Sequence, residues 1–170
     1  MPRAFVGLGA NVGEAQARLR WAARELEALG TVKLSSLWAS APVGPVVDQP
    51  WFLNAVCVVE TALEPRALLA ALHGIEAAAG RDRAAERLKG PRPLDLDLLL
   101  YDEVVLAEAD IVVPHPRLHE RAFALAPLVE LAGPDLVIPG AGRVADLLEA
   151  ARRSQPIACI CEATGGTSTG

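Results

Sequence analysis

The sequence predicts an α+β fold: a βαββαβ core with a mostly antiparallel sheet, helices packed on it, and additional C-terminal elements. Three observations carry this. Apolar residues recur at helical spacing in two separate stretches, one beginning near Glu14 and the other at Pro65. Around them lie short runs that are β-branched or alternate in polarity, as half-buried strands do. Glycine and proline punctuate the junctions, which keeps each element short.

Taken in order, Ala4 to Leu8 is an apolar run that gives way to Gly7-x-Gly9-x-Asn11-x-Gly13, a strand leading into a turn-rich loop. Leu19, Ala22, Leu26 and Leu29 line one face of a helix over residues 14–29, which Gly30 closes. Thr31 to Ala41 and Asn54 to Thr61 are predicted strands, the second favoured by Val56, Val58 and Val59. Between them, residues 42–51 hold too many prolines for either element and form a long loop, a length that points to function. Pro65 suits the first position of a helix whose stripe is Leu68, Leu69, Leu72, Ile75 and Ala79, ending at Gly80. Leu94 to Leu100 is a strand. Its alternation puts Asp95 and Asp97 on one face and Leu94, Leu96 and Leu98 on the other.

Short strands follow at residues 104–106 and 111–113, then a helix over 122–131, a strand at 136–138 and a helix over 144–153. Residues 1–153 are read as one domain with a ferredoxin-like core. Residues 154–170 are read as a frayed, dispensable tail.

Composition bounds the function. With 170 residues, 52% apolar content and 22% charge, the chain is large enough to bury its own core. A net charge of −5 argues against a general nucleic-acid binder. The charge is uneven, though: from Arg81 to Arg92 five basic residues (Arg81, Arg83, Arg87, Lys89, Arg92) face two acidic ones. That segment is a local anion site on an acidic body. The three cysteines, Cys57, Cys159 and Cys161, have neither a disulfide-framework count nor zinc spacing, and Cys57 reads as core filler. No apolar run reaches the roughly 20 residues of a membrane span, and no secretory leader is evident, so a cytoplasmic protein with no membrane or nucleic-acid partner is expected.

The chemistry concentrates at the strand with two aspartates. Their Cα atoms lie about 6.5 to 7 Å apart on one face. Both carboxylates can therefore ligate one Mg²⁺ or bridge two, with substrate phosphates and water completing the shell. Alternating Asp and Leu is also how a solvated strand face looks. The arginines preceding the pair favour the first reading, because a guanidinium fork matches phosphate oxygens and offsets charge that moves in phosphoryl transfer.

These motifs resemble a known family. Gly80-Arg81-x-Arg83 leading to Gly90-Pro91-Arg92-Pro93-Leu94-Asp95-Leu96-Asp97 is similar to the signature of 6-hydroxymethyl-7,8-dihydropterin pyrophosphokinases. The likeness also includes Pro42-Val43-Gly44-Pro45, Phe52-Leu53-Asn54, Ile75-Glu76, Val113-Pro114-His115-Pro116 and Arg121-x-Phe123. The resemblance implies transfer of the β,γ-diphosphoryl group of ATP to the hydroxymethyl group of the pterin, releasing AMP. It implies two Mg²⁺ ions on Asp95 and Asp97, and assigns Arg81, Arg83 and Arg92 with them to catalysis. The ATP set is Glu76, Arg81, Arg83, Arg87, Arg92, Leu98, His115 and Arg121. The pterin set is Ser40, Pro42, Val43, Gly44, Phe52, Asn54 and Phe123. ATP and the pterin are then the only partners expected of a monomer.

Physical chemistry agrees with the pterin set: aromatic faces hold a flat heterocycle while an amide reads its donors and acceptors. Two departures stand out. Ser40 replaces a common threonine, and Leu88-Lys89 stand where an aromatic residue is usual, leaving Arg87 and Lys89 as alternative clamps on a closing loop. Two other classes fit the same residues less well: a ligand-sensing module without turnover, and a metal-dependent phosphotransferase for another heterocyclic alcohol.

Overall fold

The computed structural model describes residues 1–10, 14–40, 52–80 and 94–161. In chain order its elements begin with β1 (Arg3–Ala10), α1 (Ala15–Leu26), β2 (Thr31–Leu34), β3 (Leu37–Ser40), β4 (Phe52–Glu60) and α2 (Pro65–Ala78). There follow β5 (Asp95–Tyr101), β6 (Leu106–Glu108), β7 (Ile111–Val113), a 3₁₀ turn (Leu118–Glu120) and α3 (Ala122–Ala132). The last are β8 (Val137–Ile138), β9 (Gly142–Arg143), α4 (Val144–Arg152) and β10 (Ile157–Cys161).

The main sheet runs β10-β3-β4-β1-β5, with β2 also paired to β4, and every pairing in it is antiparallel. This agrees with the expected ferredoxin-like core and its mostly antiparallel sheet. Helices cover both faces. Leu19, Ala22 and Leu26 of α1 and Leu68 and Leu72 of α2 pack on Val6, Leu8, Leu96 and Leu98. On the opposite face Leu125 and Leu128 of α3 and Val144 and Ala151 of α4 pack on Phe5, Val56, Val58, Leu99 and Leu100. Among the described residues no helix is long and apolar enough to cross a membrane.

The register of β5 follows from its side chains. Leu94, Leu96 and Leu98 are all buried, and each leucine kept from water contributes roughly 1.5–3 kcal/mol. A slip by one residue would expose all three and bury both aspartates, so one register wins. Farther along, Val6 faces Leu98 but Phe5 faces Leu100, which makes Leu99 the extra residue of a bulge. The bulge is why Leu99 and Leu100 both enter the α3/α4 core while Tyr101 returns to the α1/α2 core.

Several expectations need correction. The single strand expected over residues 31–41 is instead two, Thr31–Leu34 and Leu37–Ser40, with Ala41 outside the described residues. Ser35 donates its N–H to the Val56 carbonyl and accepts the Val56 N–H on its own hydroxyl, at 2.9 Å each, so a side chain replaces a rung of the ladder between β2 and β3. Gly30 follows α1 for a different reason from a left-handed cap: a Cβ there would lie 1.9 Å from the Glu60 carbonyl oxygen. The strand expected at 104–106 lies at Leu106–Glu108, set by its hairpin with β7.

The largest correction concerns the tail. Ile157–Cys161 pairs with β3 as the outermost strand of the main sheet, so residues 154–161 are not frayed. The sequence there lacks alternation because β3 supplies the backbone partners along one edge. Cys57 matches its reading as filler, being fully buried, and burial pushes its thiol up to about 12.

Candidate active site

The two aspartates emerge on the α3/α4 face of β5, each half-buried. Opposite them on β1 stand two glycines, Asp95 beside Gly9 and Asp97 beside Gly7. Beyond Gly9, on β4, comes Asn54. With neighbouring strands about 4.8 Å apart, Asn54 and Asp95 stand about 10 Å apart with only a glycine between them. A Cβ on Gly9 would approach Asn54 Oδ1 to 3.2 Å, so side chains there would crowd the amide. At Gly9 the result is a floor without a side chain of its own, with an amide on one side and a carboxylate on the other; over Gly7 the Leu99 side chain closes in, 3.3 Å from where a Cβ would stand.

Asn54 is buried, with 6% of its surface exposed, and a buried amide needs partners. Its Nδ2 donates to Ser40 Oγ at 2.8 Å and to the Phe52 carbonyl at 3.5 Å. Among the described residues no donor reaches its Oδ1. Ser40 thus orients Asn54, and a threonine hydroxyl could accept the same bond. Phe52 is half-buried at the start of β4, opposite Ser40. Trp38, paired with Asn54 on β3, adds an indole that the sequence reading did not single out. Its Nε1 donates to Glu130 at 3.4 Å, and the same carboxylate accepts the Ser36 N–H and hydroxyl, which ties α3 to β3.

The N-cap of α3 delivers the cation. Arg121 Nη1 lies 3.5 Å from Asp97 Oδ2, and its guanidinium sits 5.8 Å from the centre of the Phe123 ring. Both groups of the pair are partly exposed, so the contact itself adds little stability; it shows instead where an incoming anion would find a cation. Phe123 is half-buried against the α3/α4 core.

His115 is held on the open edge of β5, where its N–H donates to the Leu99 carbonyl at 2.9 Å. Its Nδ1 accepts the Arg117 N–H at 3.2 Å, so the neutral ring carries its proton on Nε2. Burial first, and then the Arg121 charge, push its pKa down to about 4, with Asp95 pulling the other way. At neutral pH His115 is therefore a neutral donor.

A cleft of about 260 Å³ runs along this edge, between α2 and β7. Leu98, Asp97 and His115 line it together with Leu69, His73 and Ile111. Neither Leu69, expected as part of the apolar stripe of α2, nor His73 belongs to the site expected from sequence, although their i,i+4 spacing puts them on one face of α2. Glu76 belongs to the ATP set that the resemblance implies. It is 1% exposed, and its Oε2 accepts the Leu96 N–H at 2.9 Å. Through that bond it braces the edge strand, because an open edge leaves backbone donors that burial would otherwise orphan.

Arg81, Arg83, Arg87 and Arg92, with the Leu88-Lys89 departure, and Pro42, Val43 and Gly44 lie outside the described residues. The described part of the expected site is brought together in two adjoining places. Ser40, Phe52, Asn54, Asp95, Asp97, Arg121 and Phe123 belong to the glycine-floored face, and Leu98 and His115 to the cleft. Asp97 borders both.

Comparison with known proteins agrees. Residues 5–133 match the family model described as 7,8-dihydro-6-hydroxymethylpterin-pyrophosphokinase (HPPK). A 2-amino-4-hydroxy-6-hydroxymethyldihydropteridine pyrophosphokinase of Methylorubrum extorquens is 43% identical over 143 residues, covering 82% of this chain and 88% of the relative. One from Pseudomonas aeruginosa is 42% identical over 151 residues, covering 87% and 91%. Among solved structures, an HPPK-DHPS in complex with substrates superposes with a TM-score of 0.67 at 12% identity, over 90% of this chain and 44% of that one, a likeness of fold. By its fold, its motifs and these relatives, the chain belongs to the 7,8-dihydro-6-hydroxymethylpterin-pyrophosphokinase family.

Proposed function

We propose that this protein transfers the β,γ-diphosphoryl group of ATP to the hydroxymethyl group of 6-hydroxymethyl-7,8-dihydropterin, releasing AMP, a step of folate biosynthesis. Beyond family membership, one observation supports this most: the row Asn54, Gly9, Asp95, in which an amide and a carboxylate flank a floor without side chains. A flat bicyclic ring fits such a floor. Asn54 Oδ1 is placed to accept from the ring's amino edge, and Phe52 and Phe123 offer aromatic faces.

The donor set on β5 suits magnesium, consisting of two carboxylates on one face; among the described residues no larger group of His, Cys, Asp and Glu gathers to favour a softer metal. Asp95 and Asp97 would hold the two Mg²⁺ ions, which when bound neutralise triphosphate charge. Arg121 beside Asp97 adds a fixed cation, and neutral His115 offers an Nε2–H donor at the cleft, whose apolar walls Leu69, Leu98 and Ile111 suit the base of the nucleotide. Arg81, Arg83, Arg87 and Arg92 are assigned to the phosphates, and Pro42, Val43 and Gly44 to the pterin, by resemblance. On this reading, catalysis is alignment of the hydroxyl with the phosphorus and stabilisation of moving charge, with no side chain required as a general base.

Incubation with ATP, Mg²⁺ and the hydroxymethyl-dihydropterin, with the nucleotide product identified, tests the assignment. AMP formed only when pterin is present is the expected result. ADP would indicate another kinase, and absence of turnover a binding module.

A further inference from the structure

We infer that Gln155 is a positioning residue for Arg121, which makes the segment after α4 part of the active-site framework. The inference rests on the proposed role of Arg121 at the nucleotide phosphates. Gln155 follows the last turn of α4, where its N–H donates to the Ala151 carbonyl at 3.1 Å. From there its side-chain amide reaches 33 residues back along the chain: Oε1 accepts the Ala122 N–H at 2.9 Å, and Nε2 donates to the Glu120 carbonyl at 2.6 Å. These are the two peptide groups on either side of the Arg121 Cα. One amide therefore grips both, and only one orientation of that amide satisfies both partners.

The local chain needs this grip. Ala122 is the first residue of α3, and its N–H is one of the donors that a helix start leaves without an intrahelical acceptor. The N-cap position is Arg121 itself, whose side chain makes no capping bond and points instead to Asp97. An ordinary Ser, Thr, Asp or Asn cap would satisfy the helix from its own chain, but the position is occupied by the guanidinium that the site uses. Gln155 supplies the missing acceptor from another element. With both flanking peptides fixed, the extended backbone of Arg121 (φ −106°, ψ 95°) is held, and with it the direction in which the side chain leaves.

A double-mutant cycle in the full chain tests this, reading kcat and KM for ATP at saturating pterin and KM for pterin at saturating ATP, with the melting temperature as a check on folding. Gln155→Ala is expected to lower kcat/KM for ATP about three- to tenfold, the range of one or two ordinary hydrogen bonds, with KM for pterin unchanged. In an Arg121→Ala background the same change should cost less than about twofold, because there is no longer a guanidinium to aim. Equal losses in both backgrounds would overturn the inference while leaving the site reading intact. An Arg121→Ala variant with wild-type kinetics would instead overturn the reading of the site, and this inference with it. If Gln155→Ala does not fold, Gln155→Met keeps the length and packing without either hydrogen bond and is judged by the same criteria.

Discussion

The pair of strands β1 and β5 has two halves that do opposite things. In one half, Ala4 and Phe5 face Tyr101 and Leu100, all of them buried, and the sheet is closed to solvent. In the other, Gly7 and Gly9 face Asp97 and Asp95, and the sheet presents carboxylates over a surface with no β1 side chains on that side. The Leu99 bulge separates them. Up to Leu98 the strand alternates, sending leucines to one core and aspartates to the opposite face; after it, consecutive leucines fill the core that the aspartates only border. Stability and chemistry are thus segregated along one strand: the packed half holds in register the half that stays bare.

The sharpest way to break this contrast is to exchange the chemistry without touching the packing. Asp95→Ala or Asp97→Ala should lower turnover on the order of a thousandfold or more, as for loss of a main electrostatic element, with the melting temperature little changed. Near-normal turnover in either variant would remove the carboxylates from the mechanism. The converse change is Leu100→Ala in the closed half. It should destabilise the fold by about 2–5 kcal/mol in denaturant titrations, the cost of a leucine-sized cavity, while the folded fraction keeps its kcat. A loss of kcat in the folded fraction would show that the halves are not independent. The smallest effect expected is that of Asn54→Ala, which should weaken pterin affinity about tenfold by calorimetry, the scale of a lost buried hydrogen bond, and leave ATP affinity alone. Equal weakening of both would deny Asn54 its place on the pterin side.

How much of this was legible in the sequence varies with the distance over which each feature acts. Asp95 and Asp97 were readable because alternation is a local property of a strand, and the stripes of α1 and α2 because helical spacing is too. The strand at residues 31–41 was misread because its break depends on Ser35 bonding Val56, on another strand. Leu69 and His73 were passed over because a cleft exists only once α2 lies beside β7. Glu76 drew its place in the ATP set from resemblance, and its bond to the Leu96 amide exists only once α2 packs against β5.

The C-terminal segment is the clearest case. Ser154 onward carries no periodicity, yet Ile157–Cys161 extends the sheet beside β3, and Gln155 brackets Arg121. An edge strand is specified largely by its partner's open backbone, and a glutamine amide reaching 33 residues back leaves no pattern in its own neighbourhood. The strand with two carboxylates, the helices that flank it and the family to which these motifs point are all legible in the local chain. These follow from periodicity and short-range chemistry. Packing between elements sets which groups hold the site residues in place: Glu76 at Leu96, the Leu99 carbonyl at His115, Ser40 at Asn54 and Gln155 around Arg121. Each of these bonds joins separate elements, and an unpaired polar group finds its partner only when packing brings the two together and excludes the water that would otherwise serve.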